Sequence, residues 1–215
     1  MTRGVAVLTG DLIGSTEAGA EALAAAMAEL AAGAGRISAW QSPVADTRFT
    51  RFRGDGWQIL LMNPWLALRA SVVLQAGLRA RHLPATRISI GLGAMTREGS
   101  ADLSDAGGPA FERSGRGLDA MGRLRRLAIS LDKNEALHGV IASQIDWRMT
   151  RWSPEQAEAA ALYLADSRAT LEKIGQHLGI SAQAVGYRLA GIGATQLRQD
   201  LQIWEDDIEL TPGAP

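Results

Sequence analysis

Apolar and polar residues follow one another along this chain in blocks whose period changes. Val5 to Thr9 is a short apolar, β-branched run closing on Gly10 and Asp11, the pattern of a buried strand that delivers a carboxylate at its end. Ala18 to Ala34 is alanine-rich, and its larger apolar residues Leu23, Met27 and Leu30 recur at helical spacing. Thr47 to Met62 predicts two strands flanking Gly54, Asp55 and Gly56, because turn formers between aromatic and β-branched runs mark a hairpin. Asn63 and Pro64 then predict a cap and first-turn proline for a helix carrying Trp65, Leu68, Val72 and Ala76. Arg87 to Leu92 reads as a strand, residues 94–109 as a loop, Phe111 to Leu127 as a helix, and Gly139 to Ala142 as a last strand before a junction at Asp146 to Ser153. The order β, α, β, β, α, β, α, β predicts an α+β domain, a sheet covered by helices.

Beyond Ser153 the period is helical throughout. Ser153, Pro154, Glu155 and Gln156 combine an N-cap, a first-turn proline and an acidic first turn, and Ala159, Leu162 and Tyr163 continue as an apolar stripe. Further on, Leu171, Ile174 and Leu178 make one helix face, Gly179 supplies a tight turn, Ile180 plugs the core, Ser181 caps a second helix, and Val185 and Leu189 anchor it. Gly175 stands where two steeply crossing helices must approach closely. This is a helix-turn-helix pattern, and it divides the chain into an α/β domain at residues 1–148 and a small all-α helix-turn-helix domain at 149–215 ending in an acidic tail, Asp206 to Glu209 and Thr211 to Pro215.

Composition narrows the chemistry. The chain has no cysteine, which excludes disulfides, thiolate zinc sites and a cysteine nucleophile, and His82, His138 and His177 are too scattered in sequence for a histidine metal cluster. The apolar run near the N-terminus is too short for a signal peptide and no later stretch approaches membrane-spanning length, so no membrane partner and a cytoplasmic location are expected. Residues 1–150 carry 17 Lys+Arg against 14 Asp+Glu, and residues 151–215 carry 5 against 9. The helix-turn-helix half is therefore the acidic one.

Two Gly-Asp sequences carry candidate chemistry. Asp11 and Asp55, on neighbouring strands, can hold a magnesium ion that grips a nucleotide triphosphate, and Leu12, Gly14, Ser15 and Thr16 lead into a helix whose free N–H groups can hold phosphate oxygens. Taken alone, Asp-Gly is also an ordinary turn and Asp11 an ordinary cap. Gly91 and Gly93 lack the third glycine of a dinucleotide fingerprint and read as close backbone packing. The basic run at Arg123, Arg125 and Arg126 reads either as a solvated helix face or as a contact to nucleic acid. The six tryptophans read as core and interface packing.

Taken together, Gly10-Asp11, Phe52 with Gly54-Asp55 and Gln58, Gly91 with Gly93, and Gly108-Pro109-Ala110-Phe111 with Arg116 resemble the class III nucleotide cyclase palm. The arrangement resembles still more the SatD-like bacterial proteins, which join such a domain to a C-terminal helix-turn-helix. The resemblance implies a ferredoxin-like sheet, a nucleotide and magnesium site at Asp11 and Asp55, and a homodimer. It places Arg51 near the slot of a purine-selecting lysine, and Glu112 and Arg116 at the positions of an asparagine and an arginine that stabilise the cyclisation transition state. Glu112 in place of the amide, Gly56 after Gly-Asp and Gly107 before Gly-Pro-Ala-Phe depart from the family pattern.

Ser181, Gln183, Tyr187 and Arg188 are the outward positions of the second helix of the pair, with Gln183 suited to adenine and Arg188 to phosphate. The expected function is a DNA-binding regulator whose cyclase-like domain binds a nucleotide or dimerises. Two alternatives stand beside it: a magnesium-dependent nucleotide cyclase or nucleotide-processing enzyme, and a non-catalytic binding or scaffold protein whose metal site has decayed; the helix pair itself also reads as a dimerisation or packing module.

Overall fold

The computed structural model describes residues 4–52 and 54–210. Strand β1 (Gly4–Leu12) leads into helix α1 (Ser15–Ser38), the hairpin β2 (Thr50–Arg51) and β3 (Gly56–Leu61), a single 3-10 turn at Pro64–Leu66, helix α2 (Ala67–Ala80), strand β4 (Thr86–Ala94), helix α3 (Pro109–Asp119) and strand β5 (Leu127–Ser130). Helix α4 (Glu135–Met149) follows, and then α5 (Pro154–Ala165), α6 (Leu171–Leu178), α7 (Ala182–Ala190) and α8 (Ala194–Leu210). The sheet order is β2-β3-β1-β4-β5. The first four strands pair antiparallel in the order 4-1-3-2, with α1 and α2 as the two crossovers, which is the ferredoxin-like βαββαβ topology; β5 adds parallel to β4.

Strand alternation sorts the core into two layers. Ala6, Leu8 and Leu12 of β1 meet Met27, Leu30, Ala34 and Ile37 of α1 and Leu68, Val72 and Ala76 of α2 on one face. Val5 and Val7 point the other way, onto Leu60, Leu103, Ala106 and Ala110. Helix α3 lies close on this second face because β4 presents glycines there: a Cβ at Gly91 would overlap the backbone of Ala110 and Ser114, and one at Gly93 would stand 2.7 Å from the Ala110 nitrogen. The expectation of close packing at these two glycines holds. Beyond α2, helices α5 to α8 extend the first core without a break through Ala157, Ala160, Ile174, Val185, Leu197 and Trp204.

Several local expectations are corrected. Gly139 to Ala142 lies inside α4, where His138, Ala142, Ile145 and Met149 are buried at helical spacing. A run of four residues straddling such a stripe is too short to separate the two periods. The last strand is Leu127–Ser130, because α3 ends at Asp119 and the basic run Arg123 to Arg126 forms the turn before β5, not a helix face. Asn63 makes no cap bond; its Oδ1 accepts from the Ser42 amide at 2.9 Å. Asp146 belongs to the last turns of α4. Asp206 to Glu209 continues α8, where Trp204 and Ile208 are buried, and Thr211 to Pro215 lies outside the described residues. Trp147 is exposed beneath the Arg151 guanidinium and is not core. The capping box at Ser153 and Gln156 forms as expected.

Candidate functional site

The two Gly-Asp sequences meet at one end of the sheet. Asp11 stands opposite Gly56 on one side and Arg87 on the other, and the Leu12 amide donates to the Asp55 carbonyl at 3.3 Å. Gly10 is glycine for a packing reason: a Cβ there would stand 2.5 Å from the Trp57 ring. That indole is fully buried and donates to the Thr86 hydroxyl at 2.9 Å, which in turn donates to the Asp11 carbonyl at 2.7 Å. The strand end is thus fixed by a buried chain of hydrogen bonds. Gly14 adopts the left-handed conformation at φ 68°, turning the chain into α1, and the Ser15 hydroxyl donates to Asp55 Oδ2 at 2.5 Å.

Arg87 decides what this corner can do. Its Nε donates to Asp11 Oδ1 at 2.8 Å and its Nη2 to Asp11 Oδ2, a bidentate fork, while Nη1 donates to the Met121 carbonyl at 3.4 Å. The Asp11 hydrogen bonds, followed by the charges of Asp11, Asp55 and Asp119, raise the Arg87 pKa above its ordinary value against the opposing effect of burial. Arg87 and Asp11 side chains are 27% and 24% exposed, so the pair is partly shielded from water. Magnesium requires near-octahedral oxygen ligands at about 2.0–2.1 Å. Here both Asp11 oxygens already accept from a guanidinium, one Asp55 oxygen accepts from Ser15, and the described residues contain no group of three or more acidic, histidine or cysteine side chains placed to hold a metal. As placed, this donor set does not fit a resident magnesium ion.

The other expected nucleotide contacts are dispersed. Leu12 is buried in the first core and offers only its backbone, Gly14 and Thr16 are exposed at the start of α1, and Arg51 folds over its own hairpin, its Nη2 donating to the Gly54 carbonyl at 3.2 Å. Glu112 borders a hollow with Thr96, Arg97 and Gly108, whereas Arg116 lines a separate cleft beside β5. Arg87 escaped sequence reasoning because its only signal, a basic residue opening the strand at Arg87 to Leu92, says nothing about register.

Helices α6 and α7 form with the caps and tight turn that the spacing predicts, while Leu171, expected on the inner face, is exposed. Thr170 and Ser181 cap α6 and α7 by accepting from the Lys173 and Ala184 amides at 3.3 and 3.1 Å, and Gly179 closes α6 at φ 68°. A Cβ at Gly175 would stand 2.7 Å from the Ile180 carbonyl oxygen. On α7, Ser181, Gln183 and Tyr187 are exposed, Tyr187 by 71%, and Gln183 donates to the Tyr187 hydroxyl at 3.2 Å. Arg188 is turned back onto α5, where it meets Glu158 at 3.1 Å.

No protein-family model matches the sequence, and no curated protein matches it. Among solved structures, the guanylyl cyclase Cya2 matches over 68% of this chain and 81% of its own, at 17% identity and a TM-score of 0.40. The ferredoxin-like assignment rests on the strand order and pairing above. No described helix is long and apolar enough to cross a membrane.

Proposed function

We propose that this chain is a DNA-binding regulator without catalytic activity: a cyclase-like palm that serves as a binding or dimerisation module, joined to a helix-turn-helix unit that contacts DNA. The observation that carries the reading is Arg87, whose guanidinium sits on Asp11 where a cyclase would need a divalent cation. With Arg87 on Asp11, and with Glu112 standing where the transition state calls for an amide, two of the groups that would draw charge off a triphosphate are replaced, which supports binding over turnover.

On the DNA side, Ser181, Gln183 and Tyr187 are available to base edges, and two-fold pairing of two chains would set two α7 helices one DNA turn apart. Arg188 is engaged by Glu158, which leaves Arg168 and Lys173 as exposed cations around the helix pair. Binding therefore depends on few phosphate contacts and falls shallowly with salt.

Filter binding of genomic fragments at low salt tests this reading. Retention that drops at least tenfold in Gln183→Ala and Tyr187→Ala, with Tm unchanged, is expected; no retention overturns the DNA half. The palm half predicts no turnover of ATP, GTP, CTP or UTP with magnesium or manganese. Turnover that disappears in Asp55→Ala would instead support a nucleotide-processing enzyme, the reading favoured by the placement of Asp11, Asp55 and Ser15 at one strand end.

A further inference from the structure

Along the outer edge of β5, between α3 and α4, the surface sinks into a cleft of about 890 Å³. Ile129 lines it although its side chain is buried in the core, so the sheet edge presents backbone to the opening. Arg116 of α3 and Arg123 and Arg125 of the turn before β5 stand around it, all exposed. Among the described residues no carboxylate lies within ion-pair distance of these three, in contrast to Arg113, which is fixed on Asp132. Asp132 and Glu135 border the cleft beyond the other end of β5.

Three unneutralised guanidinium groups around one concavity repel one another, and an anion relieves that repulsion. Guanidinium forks match phosphate oxygens in pairs, which a lysine cluster would not do. Glu135, past the end of β5, would repel a phosphate backbone running on along the cleft, so the complementary ligand is compact. The volume lies in the range of small-molecule sites, roughly 300–1,000 Å³.

We propose that this cleft binds a small polyphosphate-bearing molecule without a metal ion, through Arg116, Arg123 and Arg125. The site is distinct from the Asp11 corner and does not depend on the helix-turn-helix unit reaching DNA.

Thermal melting of the full chain in EDTA, with tripolyphosphate and with ATP as probes, tests it. Tm is expected to rise by roughly 5–10 °C when the probe stands about a hundredfold above its Kd. The rise should vanish in the Arg123→Gln, Arg125→Gln double variant, whose Tm without probe stays near that of the parent because both side chains are exposed. A rise with either probe supports the proposal, and a rise with ATP alone adds that the nucleoside is read as well. No rise with either probe, a rise that survives the double variant, or one that needs magnesium and is lost in Asp55→Ala overturns it.

Discussion

At the scale of single residues, the decisive contact is the fork between Arg87 and Asp11. Removing one partner of a shielded ion pair costs more than the pair itself contributes, because the other charge is left uncompensated. Arg87→Met is expected to lower stability by about 1–3 kcal/mol. It should also free the Asp11 carboxylate, so that manganese raises the Tm of the variant and leaves the parent unchanged; equal response of both proteins would show that Arg87 does not block the cation. A second residue-scale effect concerns pH. The Trp204 indole donates to His138 Nδ1 at 3.1 Å, which requires the neutral ring, and burial holds the His138 pKa below its ordinary value against the opposing charge of Asp207. The unfolded chain takes up a proton near pH 6.5 that the folded chain refuses, so this stability is present above that pH and is lost as pH falls toward the folded pKa. Asp146, whose pKa burial raises, acts in the opposite sense: its contribution fades as pH rises through its folded value. Tm should therefore fall between pH 7 and pH 5, and His138→Phe should flatten that slope while lowering Tm at neutral pH.

At the scale of elements, two glycines set how helices seat. Gly91 lets α3 lie on β4, and Gly175 lets α6 cross α7. In both places the neighbour is backbone, which cannot swing aside as a flexible side chain does. Gly91→Ala and Gly175→Ala should each cost about 1–3 kcal/mol, read as a lower urea midpoint at unchanged m-value. The two differ in their reach. Gly175→Ala should also reduce DNA retention by displacing α7, whereas Gly91→Ala should leave it intact once the protein is folded.

At the scale of the molecule, α2 is the shared wall between the sheet and the C-terminal helices. Arg69 on α2 holds Glu205 on α8 through its Nε and Nη2, at 2.6 and 2.9 Å, with side chains only 12% and 8% exposed. Arg79 on α2 donates to the carbonyls of Thr150 and Trp152 just before α5. Glu205→Ala would leave Arg69 charged and unpaired between helices, with an expected loss of about 3–5 kcal/mol. Because one buried cluster runs from the sheet to α8, heat should unfold the chain in a single transition by near- and far-UV circular dichroism. Two separated transitions would show that residues 1–148 and 149–215 fold independently.

The sequence by itself determined what local chemistry controls: the strand at Val5 to Thr9, the hairpin at Gly54 to Gly56, the capping box at Ser153 and the paired caps and tight turn of α6 and α7. Each is written within a few residues, in dihedral preferences and nearby hydrogen-bond partners. It also told the order of strands and helices, but not which run supplied the last strand, since Leu127 to Ser130 becomes a strand only by pairing with β4. Asp11 and Asp55 were legible as carboxylates at a strand end and a turn. Their neighbours were not. Cross-strand register placed Arg87 on Asp11, and the turn after α3 gathered Arg123 and Arg125 beside Arg116 around a cleft. Register and cleft both depend on contacts between residues far apart in the chain, so only the tertiary structure decided that the first corner holds an arginine where a metal was expected and that the unpaired cations stand elsewhere.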